Sequence, residues 1–86
     1  MNVQETLKER EQTHGSFKEH ATVTQELKQV LYTYNKGLCY EHAEALDMIF
    51  HKIGRILTGN PYHKDHWHDI AGYALLAEKV EKDANL

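Results

Sequence analysis

Two groups of carboxylates recur at helical spacing in the second half of the chain. Glu41 and Glu44 are three residues apart, and Asp47 follows at the same interval; Asp65 and Asp69 stand four apart. Residues three or four apart share one face of a helix, so the acids within each group repel one another. The repulsion requires a positive charge nearby, which either basic side chains or a divalent cation such as Mg²⁺ can supply. The alternative interpretation is a solvated helix face with ordinary Glu–Lys and Asp–Arg pairs.

The spacing of the apolar residues predicts an all-α domain with helices joined by short loops and no strands. Ser16 is a candidate N-cap, and Gly59, Asn60 and Pro61 mark a turn. The predicted helices cover residues 3–11, 17 to about 35–37, 40–57 and 63–81. We therefore expect a small bundle of three to four helices.

The last predicted helix is apolar almost all round. Its apolar positions are Trp67, Ile70, Ala71, Tyr73, Ala74, Leu75, Leu76, Ala77 and Val80. A helix of this kind is buried on all sides, and a chain of 86 residues has too little mass to surround it. We therefore expect a homodimer or higher homo-oligomer that completes the fold along this helix.

The two acidic groups do not meet in a simple helical hairpin. A short turn between the last two helices brings Asp65 and Asp69 closest to Arg55 and His51. Glu44 lies roughly 20 Å from the end of its own helix at about 1.5 Å per residue. A site that joins Glu44 with Asp69 therefore requires an offset last helix or a second subunit.

Composition excludes several classes of protein. The 86 residues allow one domain, residues 1–86, and 41% hydrophobic with 27% charged residues is typical of a folded chain. A net charge of −3 makes nonspecific binding to nucleic acid unfavourable. Cys39 is the single cysteine, which indicates a reducing compartment and predicts a cytoplasmic location. No apolar stretch is long enough to predict a membrane span.

Three segments, residues 13–17, 44–57 and 64–76, resemble a family of small uncharacterised proteins of tailed phages and prophages. The shared residues are Arg10, His14 and Gly15, then Met48, Lys52 and Arg55, and finally Lys64, Asp65, Asp69, Gly72 and Tyr73. That family is in turn remotely similar to the all-α nucleoside triphosphate pyrophosphohydrolases of the MazG type. The resemblance implies a helical scaffold that binds or hydrolyses nucleotides, in the cytoplasm of a bacterial host if the protein is phage-encoded.

Those enzymes use Glu-x-x-Glu on one helix and Glu-x-x-Asp on a later one to bind Mg²⁺. Glu41 and Glu44 match the first motif, whereas His66 occupies the acidic position three before Asp69, with Asp65 next to it. Histidine suits Mn²⁺ or Zn²⁺ better than Mg²⁺. On this resemblance the catalytic and metal-binding residues are Glu41, Glu44, Asp65 and Asp69, with Mg²⁺ or Mn²⁺ as the cofactor, and the phosphate-binding residues are Lys52, Arg55 and Lys64.

The histidines and the cysteine offer another interpretation. Cys39-x-x-His42 and His63-x-x-His66 give four nitrogen and sulfur ligands of the kind that binds structural zinc. Without a second cysteine, the simpler expectation is that the histidines near the start of the last helix, together with His20 and His42, lie at the surface.

Three functional hypotheses follow. The first is a nucleotide-binding or nucleotide-hydrolysing protein that depends on a divalent metal. The second is a phage accessory protein that keeps the scaffold without catalysis and modulates a host protein. The third is a zinc-stabilised interaction module.

Overall fold

The computed structural model describes residues 2–82, apart from the side chains of Thr13 and His14. Within that range the chain forms four α-helices and no strand, which confirms the all-α prediction. The helices are α1 (Val3–His14), α2 (Phe17–Tyr34), α3 (Tyr40–Thr58) and α4 (Lys64–Glu78). None of the described helices is long and apolar enough to cross a membrane.

The predicted helix ends are close to the observed ones. Ser16 caps α2, since its Oγ accepts a 3.5 Å hydrogen bond from the Glu19 N–H. The first helix continues to His14, and the last ends at Glu78, before the predicted residue 81. Gly15 follows α1 with a φ of 81°, a left-handed conformation that glycine adopts without strain.

Polar side chains fix the two longer links. In the link between α2 and α3, Asn35 Oδ1 accepts hydrogen bonds from the N–H groups of Gly37 (3.1 Å) and Leu38 (2.9 Å). In the predicted turn between α3 and α4, the Trp67 indole N–H donates to the Pro61 carbonyl at 2.7 Å. Local hydrogen bonds in each link therefore help to fix the orientation of the helix that follows.

The helices form an open layer with α3 at its centre. α2 packs on one side of α3 and α4 on the other, α1 contacts α2 and α3, and α2 makes no contact with α4. The radius of gyration is 15.3 Å, against about 12 Å for a compact domain of this length. One chain therefore leaves both broad faces of α3 incompletely covered.

Little apolar surface is buried within the described part of the chain. Ala45 is its only buried hydrophobic residue, at 6% exposure, and the buried polar residues are His20, Thr24 and His66. Our expectation that His20 and His66 lie at the surface is therefore wrong: they are 8% and 1% exposed. The reason is that α2 and α4 present these side chains to α3 while leaving larger apolar side chains outside.

Gly54 sets the distance between α2 and α3. A Cβ atom at this position would lie 2.8 Å from His20 Nδ1 and 3.1 Å from Thr24 Cγ2. Both distances are shorter than ordinary van der Waals contact, so any larger residue would push α2 away. The missing side chain thus makes room for the two buried polar residues of α2.

α4 contacts the rest of the chain along one narrow stripe. The partly or fully buried residues of this stripe are His66, Asp69, Ile70, Tyr73 and Ala77. On the other side Trp67, Leu75 and Leu76 are 54%, 58% and 60% exposed. α4 is therefore apolar on most sides, as predicted, but one chain covers only part of its apolar surface.

We expect Gly54→Ala to destabilise the fold by about 1–3 kcal/mol, because the added methyl group overpacks the contact with His20 and Thr24. The matched control is Gly72→Ala in α4, where the new methyl group would meet no described atom within 4 Å. This control should raise stability by about 0.5–1 kcal/mol, since alanine favours helix. Urea denaturation of both variants at one protein concentration measures the difference; equal stability of the two would contradict the tight contact.

Candidate functional site

The first acidic pair lies at the exposed start of α3. Glu41 and Glu44 are both exposed, and neither forms an ion pair with another described residue. Between them, His42 Nε2 lies 3.0 Å from the carbonyl oxygen of Ala77, near the end of α4. The start of α3 is therefore beside the end of α4, as expected for an antiparallel hairpin.

The second acidic pair lies near the opposite end of α3. Asp69 Oδ2 forms a 2.8 Å salt bridge with Lys52 Nζ, whose side chain is 12% exposed. The hydrogen bond from Lys52 lowers the pKa of Asp69 below its usual value. The pair therefore contributes stability above that usual value and loses it as the pH falls towards the lowered pKa. Asp65 is 80% exposed and lies 3.7 Å from His63 Nε2.

The four predicted metal ligands do not converge within one chain. Glu44 lies eight residues before Lys52, the partner of Asp69, which is about 12 Å along the helix at about 1.5 Å per residue. Among the described residues, no three histidine, cysteine or acidic side chains are placed to hold a metal ion. The two acidic pairs can share a cation only if a second chain brings them together.

The same finding applies to the four predicted zinc ligands, which also form no such group in the described part of the chain. Cys39 is exposed at the N-cap of α3, and His42 contacts the end of α4. His63 and His66 pack against each other with ring centroids 4.6 Å apart, at the start of α4. The antiparallel hairpin therefore separates the Cys39 and His42 pair from the His63 and His66 pair.

The predicted phosphate-binding residues lie in three different places. Lys52 faces α4 and is engaged with Asp69. Lys64 is the exposed first residue of α4. Arg55 is half-buried on the other side of α3, where it lines a pocket against α1 and α2. Arg55 is therefore separated from the acidic residue that Lys52 binds.

This interhelical pocket lies between α1, the start of α2 and the second half of α3. It encloses about 770 Å³, within the range of small-molecule sites. Its basic residues come from three helices, and its apolar rim includes Leu7 and Phe17. The basic and imidazole groups that line it are Arg10, Lys18, His20, His51 and Arg55, with Glu11 as the one carboxylate among the described lining residues.

Two histidines form the inner part of the pocket. The His20 and His51 ring centroids are 5.6 Å apart. Burial lowers the pKa of His20, and the positive charge of Arg55 lowers it further. Burial also lowers the pKa of His51, with Lys28 and Arg55 adding to the effect. Both rings are therefore biased towards the neutral form beside permanent positive charges.

Sequence reasoning did not identify this pocket as a site. Arg10 and Gly15 were singled out only through the resemblance, and His20 was assigned to the surface. The available signal was the run of Arg10, His14 and Gly15 before a capped helix. Arg10 and Gly15 reach the pocket because Gly15 packs closely against Thr58, where a side chain would overlap the Thr58 carbonyl oxygen. A contact between segments so far apart in the chain cannot be predicted from the spacing of neighbouring residues.

The lowered histidine pKa values predict a loss of stability in mild acid. The unfolded chain binds protons at a pKa of about 6.5, whereas the folded chain binds them more weakly at His20 and His51. Their contribution is therefore complete above that value and is lost as the pH falls towards the folded-state pKa values. We expect the free energy of unfolding in urea to fall between about pH 7.5 and about pH 5.5.

The variants His20→Gln and His51→Gln should each show a shallower fall with pH. Lys36→Gln, an exposed substitution in the link between α2 and α3, is the control and should keep the full slope. An unchanged slope in both histidine variants would mean that other groups cause the acid sensitivity.

A comparison with family models places the chain in a family. No curated protein and no solved structure shows significant similarity to the chain. A family model described as a domain of unknown function, DUF6378, matches residues 2–81. The match covers the helical layer, both acidic pairs and the interhelical pocket. The chain therefore belongs to the DUF6378 family.

Proposed function

We propose that a homo-oligomer of this chain binds the phosphate groups of a nucleoside triphosphate with a divalent metal, Mg²⁺ or Mn²⁺, and hydrolyses it to release pyrophosphate. The sequence motifs that resemble MazG-type enzymes and the phage family support this activity. The same resemblance leads us to propose a phage or prophage origin and a location in the bacterial cytoplasm.

The observation that carries the proposal is the pair of unpaired, exposed carboxylates at the start of α3. Glu41 and Glu44 are adjacent on the helix surface and are bound to no described cation. Two neighbouring carboxylates without a basic partner suit a hard divalent cation with oxygen ligands. Within one chain the two acidic pairs do not fit a shared metal, so the proposal requires Asp69, assisted by Asp65, from another subunit.

The exposed apolar surface of α4 supports the oligomer. Trp67, Leu75 and Leu76 are each more than half exposed, and α2 leaves that side of the layer open. Burial of such side chains contributes roughly 1.5–3 kcal/mol each, which is substantial beside the small core of one chain. A second copy is the economical partner, because a two-fold axis covers two such surfaces at once.

The residues of this proposed site have distinct roles. The carboxylates would hold a divalent cation, which would supply positive charge against the phosphate chain and lower the pKa of a bound water. Glu41 and Glu44 supply carboxylate ligands from one subunit, and Asp69 supplies one from the other. Lys52 orients Asp69 through their 2.8 Å salt bridge and places a positive charge beside the phosphate chain. Lys64, at the start of α4, adds a second ammonium group at the rim.

The second candidate is a non-catalytic accessory protein that binds a host protein. The separation of the two acidic pairs within one chain favours it, because a lone Glu41 and Glu44 pair completes no metal site. It predicts that Glu44→Gln and Asp69→Asn leave the biological activity intact. Zinc stabilisation is the least supported hypothesis, since the hairpin separates its ligands.

The oligomer is tested by hydrodynamic mass. We expect sedimentation equilibrium to give at least about twice the chain mass of 10.0 kDa. Leu76→Glu should reduce the mass to that of one chain, because a carboxylate opposes burial of α4. Tyr62→Glu, at a residue that is 87% exposed in the turn before α4, is the control and should remain associated. A wild-type protein that sediments as a single chain at high concentration would contradict the oligomer.

The shared site is tested by mixing two inactive variants. Glu44→Gln and Asp69→Asn should each lose at least about tenfold in pyrophosphate release with Mg²⁺ or Mn²⁺. Refolding the two variants together in equal amounts should restore about a quarter of wild-type activity, because half of randomly formed dimers contain one intact site out of two. Glu26→Gln on the exposed surface of α2 is the control and should retain full activity.

Two results would contradict this function. One is the absence of pyrophosphate release from any nucleotide in a broad panel, together with no thermal shift by metal plus nucleotide. The other is an active wild type whose two variants stay inactive when mixed, which would exclude a site shared between subunits.

A further inference from the structure

Among the described residues that line it, the interhelical pocket has more positive than negative side chains. Arg10, Lys18 and Arg55 each come from a different helix, and none forms an ion pair with another described residue. Glu11 is the one acidic residue among the described residues that line it. Three permanent positive charges beside one negative charge favour an anionic ligand.

The backbone adds to this preference. α2 has 18 residues and begins at the pocket with Phe17, so the positive end of its dipole lies there. The first N–H groups of a helix lack partners within the helix and bind phosphate oxygens readily. Gly15 allows the chain to turn from α1 into α2 against the Thr58 carbonyl, which holds this helix start in place.

A buried polar side chain lies in the same pocket. His20 is 8% exposed and lines the pocket, with its Nδ1 atom beside the backbone of Gly54. A neutral imidazole carries one N–H that can donate a hydrogen bond. His51 lines the same pocket, with its ring centroid 5.6 Å from that of His20. The inner part of the pocket can therefore donate hydrogen bonds to an oxyanion.

The rim of the pocket is apolar. Phe17 is 82% exposed and Leu7 is 61% exposed, and both line it. A large exposed aromatic side chain beside a basic site is suited to the planar organic part of a ligand whose anionic group lies deeper. The pocket, at about 770 Å³, exceeds the size of a single inorganic ion.

We propose that the interhelical pocket binds the phosphate group of a small organic phosphate without a metal ion, through Arg10, Lys18, Arg55 and the start of α2, with the organic part against Phe17. This site is separate from the acidic residues of the proposed metal-dependent activity. Asp69 lies on α4 and binds Lys52 on the side of α3 that faces α4, whereas the pocket lies between α1, α2 and α3. The binding does not depend on hydrolysis.

The test is calorimetric titration of the full chain in EDTA at low salt, with inorganic phosphate and with a nucleoside monophosphate as probes. We expect saturable binding of both, with affinity at least about tenfold weaker in Arg10→Gln and Arg55→Gln. Arg10 is exposed, so its variant should fold even if Arg55→Gln does not. Lys36→Gln removes one positive charge away from the pocket and should change the affinity by less than about twofold.

Phe17→Ala distinguishes the two sources of phosphate. It should weaken the binding of the nucleoside monophosphate by at least about fivefold and leave that of inorganic phosphate unchanged, since only the nucleoside has a base that can stack on the aromatic ring. Equal effects on both probes would overturn the assignment of the organic part to Phe17.

Three results would overturn the site itself. They are no saturable binding of either probe, an equal loss in Lys36→Gln and Arg10→Gln, or a loss of binding in Glu44→Gln and Asp69→Asn. The last result would assign phosphate to the acidic residues instead. Failure of the metal-dependent hydrolysis, by contrast, would leave metal-free phosphate binding unaffected, so the two proposals fail separately.

Discussion

The close contact of α2 with α3 at Gly54 determines the rest of the architecture. Because Gly54 has no side chain, His20 and Thr24 pack directly against the second half of α3. Two polar residues thereby occupy the position that large apolar residues hold in most helical pairs. The free-energy cost of burying Thr24 is reduced because its Oγ1 donates a 2.8 Å hydrogen bond to the His20 carbonyl. Burial of the His20 ring, by contrast, disfavours its charged form, which lowers the pKa of His20.

Local sequence signals were sufficient for the helices and their order. Apolar spacing gave four helices, the Ser16 cap marked the start of α2, and the residues around Pro61 marked the hairpin turn. These features depend on neighbours within a few residues, which is why periodicity and capping identify them. The hairpin geometry also predicted that Asp69 lies beside the second half of α3, where it contacts Lys52. The neighbours expected for it, Arg55 and His51, instead line the pocket on the other side of α3.

The interior could not be predicted in the same way. Histidine is a polar residue type that is usually expected at the surface. His20 and His66 are buried only because α2 and α4 pack against α3. Arg10 and Arg55 are 45 positions apart in the chain. Both line the same pocket because α1 and α3 come together where Gly15 packs against Thr58. The described residues of one chain bury little apolar surface, since the apolar surface of α4 is wider than the surface that α3 offers it. Such properties depend on long-range geometry that a single sequence does not encode locally.

The absence of contact between α2 and α4 also bears on how the chain folds. Among the described helices, contacts join neighbours along the chain, with the α1 and α3 contact as the exception. Chains whose contacts are short in sequence close small loops, which cost little entropy and form quickly. The α2–α3 and α3–α4 pairs can therefore assemble as separate hairpins on a shared central helix. α4 contacts α3 alone among the described helices, so its docking and the assembly of the pocket between α1, α2 and α3 depend on separate sets of contacts.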